Sequence, residues 1–251
     1  MIFRLNARMR PKRYVLLAVG VVVSFLLDQA AHANLLTNGD FEAPVVSETS
    51  HCGPYADCLG FDLANSDIGG WTVVGKGGVA SAIILIGNDY IELNNGNGQT
   101  LNFNTVPGDT QAVDLTGEGN QGTTNGIKQT VASDVGAAYA LSFFVGHQYD
   151  LAPGYSGPAS VSLWIDGSEV DTYTNSAVTF DDVTWEEFTY IFSAATDETT
   201  IAFLNATDIG NNYAGLDNVD LAAIPEPGAL VLFGGALAMF SLFRRMRLSP
   251  A

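Results

Sequence analysis

Between Trp71 and Ala222 the chain is a series of short apolar runs, each closed off by Gly, Asn, Asp or Thr. Nothing there longer than two turns carries a helical period. The punctuation predicts strands over Trp71–Val74, Ala82–Ile86, Gln111–Leu115, Ile127–Val131, Tyr139–Gly146, Ser160–Ile165, Glu169–Tyr173, Glu187–Phe192, Thr200–Leu204 and Leu216–Ala222. Several alternate: Tyr139, Leu141, Phe143 and Val145 share a face, as do Val161, Leu163 and Ile165, and Phe188, Tyr190 and Phe192. A strand with one apolar face must bury it against another layer, so the expected fold is an all-β antiparallel β-sandwich, a jelly roll. Asp166-Gly167, between two of these runs, predicts a two-residue hairpin turn. Val45 to Gly70 is the least regular stretch, and no internal repeat is present.

Both ends depart from this pattern. Arg4, Arg8, Arg10, Lys12 and Arg13 precede an apolar run from Tyr14 to Leu27, and Ala31-His32-Ala33 follows. That three-part order predicts a secretory signal over 1–33 cleaved after Ala33. At the other end an uncharged apolar segment, Gly228 to Phe243, is followed by Arg244, Arg245 and Arg247. As a helix it would reach about 24 Å, a thin transmembrane span whose basic end stays cytoplasmic and leaves the body outside. Pro225-Glu226-Pro227, this short helix and the arginine cluster resemble the PEP-CTERM sorting signal of Gram-negative bacteria. The resemblance implies recognition of 225–251 by an exosortase, a membrane cysteine protease that removes the tail. A permanent C-terminal anchor is the alternative. The expected organisation is a signal peptide at 1–33, a domain at 34–224 and a sorting tail at 225–251. Signal peptidase and exosortase are then partners, the inner membrane is a transient station, and the cell surface or extracellular matrix is the destination.

The part between the ends is strongly acidic. Only Lys76 and Lys128 of the ten basic residues fall in 34–224, against 25 of the 27 acids, a formal charge of −23. Such a surface repels nucleic acid and attracts calcium and other hard cations; solubility outside the cell explains it equally well. Cys52 and Cys58 are the only cysteines. In an exported chain the default is a small-loop disulfide. A metal site through His51 and both thiols would need a fourth ligand that nothing nearby supplies.

A second resemblance covers the body. Asn34-Leu35-Leu36-Thr37-Asn38-Gly39-Asp40-Phe41-Glu42, then Gln111–Leu115, Gly126–Val131, Tyr139–Phe144 and the closing Gly215-Leu216-Asp217-Asn218-Val219 resemble galactose-binding-like jelly rolls, including many carbohydrate-binding modules. The resemblance implies a structural calcium joining the first and last segments through Glu42 and Asp217, with Asp40 as a further ligand. Without an ion, Asp40 would cap a turn, Glu42 would be solvated, and Asp217 would turn the chain into its last strand.

Modules of this shape stack aromatic rings on sugar. By period two Trp164 points away from Val161, Leu163 and Ile165, alongside Ser160 and Ser162. Phe144 lies opposite its own core set, and the loop from His147 to Tyr155 adds Tyr149 and Tyr155. A glycan platform is expected to place Trp164 and Phe144 on one open face; otherwise a loop or the other sheet's edge covers such rings. Trp71 and Tyr90 read as core residues. Catalysis has little to stand on. There is no G-x-S-x-G elbow or zinc-type histidine spacing, and in the pairs Asp181-Asp182 and Glu186-Glu187 strand neighbours point to opposite faces. The expected function is non-enzymatic: binding of exopolysaccharide or another glycan at the cell surface. The alternative is an acidic, calcium-associated matrix protein, and a glycosidase is the weakest reading.

Overall fold

The computed structural model describes residues 33–225 apart from 53–54, 65, 76–81, 95–98, 119–124, 151–153, 180–181 and 209. Residues 1–32 of the predicted signal, and the sorting tail after Pro225 with Glu226, Pro227, Arg244, Arg245 and the 228–243 helix, lie outside the described residues.

Sixteen strands occur among the described residues. The first eight are short: β1 (His51–Cys52), β2 (Tyr55–Ala56), β3 (Cys58–Phe61), β4 (Asp67–Ile68), β5 (Trp71–Val74), β6 (Ile83–Gly87), β7 (Ile91–Asn94) and β8 (Gln99–Asn102). The rest are β9 (Gln111–Asp114), β10 (Gly126–Ala132), β11 (Ala138–Gln148), β12 (Ala159–Ile165), β13 (Ser168–Asn175), β14 (Val183–Ser193), β15 (Glu198–Asn205) and β16 (Gly215–Ala223). The ten predicted runs are all strands. The six additional ones, β1 to β4, β7 and β8, are two- to four-residue pieces, four of them inside the stretch read as irregular.

Two antiparallel six-stranded sheets form the body, ordered β13-β12-β15-β10-β5-β4 and β14-β11-β16-β9-β6-β3, and β1-β2 and β7-β8 are separate hairpins. From β9 to β16 successive strands alternate between the two sheets except at the β12–β13 hairpin, which winds the chain as a jelly roll winds. That hairpin turns at Asp166 and Gly167, whose φ angles of 50° and 79° are the pair a type I′ turn requires.

Period-two alternation builds the main core. Tyr139, Leu141 and Phe143 of β11 sit opposite Phe192, Tyr190 and Phe188 of β14, while Val161, Leu163, Ile201 and Phe203 come from the facing sheet. Phe143 bridges the sheets, its ring 4.8 Å from Phe203 and 5.0 Å from Tyr173, both edge-on.

The opening segment forms no strand. It is a strap across the edge of the sandwich, held by side-chain amides. Asn34 donates to the Val219 carbonyl at 2.8 Å and accepts from the Leu221 N–H at 3.0 Å. Gln129 on β10 accepts from the Thr37 N–H at 2.7 Å and donates to the Thr37 carbonyl at 2.9 Å. Phe41 adopts φ +52°, a conformation rare for a bulky residue, and is fully buried 5.5 Å from the Trp71 ring.

The second sheet is covered on both faces at β6 and β9. Ile83 and Leu85 of β6 enter the main core, whereas Ile84 and Ile86 point outward into a second cluster with Cys52, Cys58, Tyr90, Leu101, Phe103, Tyr155 and Tyr213. The continuous apolar run over Ile83–Ile86 is what a strand buried on both faces requires. A disulfide joins Cys52 to Cys58 within this roof.

Candidate ligand-binding surface

The outer face of the first sheet carries the clearest surface site. On β12 the indole of Trp164 stands outward, half-buried, and donates Nε1–H to the Ser162 hydroxyl at 3.0 Å. Trp164 is paired across β15 with Ala202, and Ala202 in turn with Lys128 on β10. Trp164 and Lys128 thus face one groove of about 590 Å³ from either side of a central strand. Ala202 and Leu204 supply apolar floor, and Asp166, Thr196 and Thr200 supply polar edges. Small side chains on β15 leave the Trp164 ring uncovered from that side. Asp166 accepts from the Thr200 N–H at 2.8 Å, which holds the hairpin end against β15. The groove offers an aromatic face, an ammonium, a carboxylate and hydroxyls.

The other predicted aromatics are elsewhere. Phe144 projects from the outer face of the second sheet, paired with Glu187 and Asp217, so it and Trp164 lie on opposite faces of the sandwich and form no common platform. Period two correctly turns each ring outward, but it cannot say which sheet each strand joins. Tyr149 is half-buried, its ring 6.1 Å from His147. Tyr155 is buried at 3% exposure, 6.3 Å from Phe103, as part of the roof, which corrects the expectation of a loop-tip ring. Its loop is pulled inward by the Asp150 N–H to Tyr155 carbonyl bond and by Gly157 N–H donation to Asn211. His147 has both ring nitrogens on backbone carbonyls, of Ala177 and Gly157, and serves the loop rather than a ligand. Trp185 was missed: it falls out of phase with Phe188, Tyr190 and Phe192, the signal that would have found it. Its ring covers Gly146 and Gly215.

Of the three predicted calcium ligands, Asp217 lies within electrostatic reach of Glu42 and of a further acid, Asp109, and Asp40 acts on Asp109. Asp217 is fully buried; Oδ1 accepts from the Asn218 N–H at 2.7 Å, and Oδ2 has no hydrogen-bond partner. Burial pushes its carboxyl up to about 8; the Asn218 and Val106 N–H groups oppose this, while Asp109 and Glu42 add to it. Burial also raises Asp109, against a 2.6 Å hydrogen bond from Asn218, with Glu42 and Asp40 adding repulsion. Glu42 is half-exposed and hydrogen-bonded: it accepts from the N–H groups of Thr110 and Gln111 and from the Thr110 hydroxyl. Asp40 is exposed. Among the described residues no group of three His, Cys, Asp or Glu side chains is arranged as a metal site. Asp217 Oδ2 is one of the buried side-chain oxygens without a hydrogen-bond partner among the described residues.

A family model described as a protein of unknown function, DUF642, matches residues 34–220. The chain belongs to the DUF642 family. No curated protein matches it. Among solved structures it is similar to a family 35 carbohydrate binding module from Clostridium thermocellum, at 12% identity and TM-score 0.36, covering 66% of this chain and 98% of that one. The K1 cleaved adhesin domain of Lys-gingipain from Porphyromonas gingivalis W83 gives 17% identity and TM-score 0.42 over 67% and 99% of the two chains. The CBM22-1 xylan-binding domain from Paenibacillus barcinonensis Xyn10C gives 16%, 0.37, 67% and 94%. At these scores the likenesses carry no argument about this chain's ligand.

Proposed function

We propose that this DUF642 chain is an exported, non-enzymatic carbohydrate-binding protein of the cell surface or matrix, and that the groove beside Trp164 is its glycan site. One observation carries the reading: an outward indole, anchored by Ser162, borders a groove whose floor is small and apolar and whose edges are hydroxyls and charges. Sugars need that mixture, because their C–H faces pack on a ring while their hydroxyls exchange hydrogen bonds at the rim. Export and exosortase processing rest on the signal-like start and the Pro225-Glu226-Pro227 tail with its arginines. The acids Glu186 and Glu187, exposed on the edge strand β14, give no converging carboxylate pair and so lend a glycosidase no support.

The matrix reading keeps one specific support, the unpartnered Asp217 Oδ2. When bound there, calcium would supply positive charge to offset the repulsion among Asp217, Asp109 and Glu42, tying the opening strap to β16.

The test is a glycan array with the full-length protein beside Trp164→Ala. Retention on one polysaccharide class, lost in the variant, supports the proposal; no retention, or equal retention by the variant, overturns it. Intact mass from cells with and without the sorting protease tests the export half. A chain that still carries residues 244–251 in normal cells defeats it.

A further inference from the structure

A second cavity, of about 200 Å³, lies under the roof on the outer face of the second sheet. Its wall is aromatic. Tyr55 and Tyr90 lie 6.0 Å apart at 60°, Tyr90 and Phe103 5.1 Å at 64°, and Phe103 and Tyr213 5.0 Å at 60°. Successive rings meet edge-on or tilted rather than stacked face to face. All four line the cavity. Ile84 and Ile86 of β6 line it on the sheet side.

The polar lining is one-sided. Asp114, from β9, and Glu118, exposed beyond the end of that strand, contribute carboxylates, Asn212 contributes an amide, and among the described residues no lining residue is basic. Asp114 is anchored: its Oδ1 accepts from the Thr116 N–H and hydroxyl and from the Ala214 N–H. Tyr213 is 2% exposed and contributes its ring; its hydroxyl, which has no hydrogen-bond partner, lies against Gly215, outside the cavity lining.

We propose that this cavity binds a small organic ammonium group. Ring faces carry negative quadrupole density, and a desolvated cation among several of them is held by cation–π attraction. The carboxylates add attraction of the same sign and would repel an anion. The acidic body steers cations toward the site from a distance. The same chemistry is offered by a free alkylammonium compound and by an unacetylated amino sugar in a glycan. This inference does not depend on the Trp164 groove, which lies on the other sheet.

The experiment is calorimetric titration of the full-length protein with choline and with glucosamine. The controls are their neutral counterparts, 3,3-dimethylbutan-1-ol and N-acetylglucosamine. At least one cationic probe is expected to bind about tenfold more tightly than its neutral partner. The tighter of the two identifies the source, free amine or amino sugar. Glu118→Gln, at an exposed position, is expected to weaken that binding severalfold without altering the thermal midpoint, and Phe103→Leu to abolish it. Failure of both cationic probes to bind, equal binding of the neutral partner, or unchanged binding in both variants overturns the proposal.

Discussion

The Trp164 indole donates to the Ser162 hydroxyl at 3.0 Å, a bond between two side chains that leave the same strand on the same outer face. It fixes a large apolar ring beside the Ala202–Leu204 floor before any ligand arrives, so little rotamer freedom remains to be lost on binding. Trp164→Ala should therefore weaken binding of the retained glycan by about thirtyfold, the range for truncating an interfacial tryptophan. Ser162→Ala should give a smaller loss, because the ring stays while its orientation is freed. Calorimetry against the polysaccharide found on the array measures both. A Trp164→Ala protein that binds as before would remove the groove from consideration.

The strap supplies a prediction about stability. Gln129 sends both polar atoms of its amide to one residue, Thr37, and so ties the opening segment to β10. Gln129→Ala leaves the Thr37 N–H and carbonyl without these partners, and a cost of about 1–3 kcal/mol is expected. Urea unfolding should show a lower midpoint with an unchanged slope. A midpoint within error of the parent would mean that water replaces the amide.

Much of the sandwich was legible because alternation is a local signal. Val161, Leu163 and Ile165 define an inner face, and Trp164 must then point out. Which sheet a strand joins is a long-range matter, and that is why Trp164 and Phe144, both turned outward, were expected together and lie on opposite faces. The roof was illegible for a similar reason. Its cluster gathers Cys52 and Cys58, Ile84 and Ile86, Tyr90, Phe103, Tyr155 and Tyr213 from across the chain, and no window contains enough of it to show a pattern. Tyr155 reads as a loop residue until Phe103 is placed against it. Asp217 reads as a calcium ligand by resemblance and otherwise as a turn acid; its burial was not legible because carboxylates are rarely buried alone.

The Cys52–Cys58 bond closes a short loop within that roof. Constraining a loop of this length in the unfolded chain is worth about 2 kcal/mol. The double variant Cys52→Ala/Cys58→Ala should lose about that much, and it should also loosen the cavity that Cys52 helps to line. Ammonium binding should then weaken while glycan binding at Trp164 persists, since that groove is on the other sheet. Thermal denaturation followed by calorimetry separates the two effects. Equal loss at both sites would mean that the sheets unfold as one unit on losing the bond.

The Asp217 carboxyl gives a pH dependence whose sign can be worked out. Burial, with Asp109 and Glu42 nearby, raises it to about 8 from its ordinary value of 3.8; Tyr213, itself pushed up by burial and by Asp114 and Asp217, faces it as well. Between about pH 4 and 8 the folded protein keeps this proton while the unfolded chain has released it, so the group favours the folded state less and less as pH rises. Its contribution is fully present below pH ~4 and is lost as pH passes through about 8, with a slope of at most ~1.4 kcal/mol per pH unit. Asp217→Asn keeps an oxygen for the Asn218 N–H and carries no charge at any pH. Relative to the parent in chelator, its melting temperature should be similar near pH 4 and higher at pH 9, and the difference cancels the titration of the other acids. Adding calcium at pH 9 should raise the parent and leave the variant unchanged if the ion takes Oδ2 in place of the proton. Parallel melting curves for the two proteins across this range would show that Asp217 is ionised throughout and already solvated in the fold.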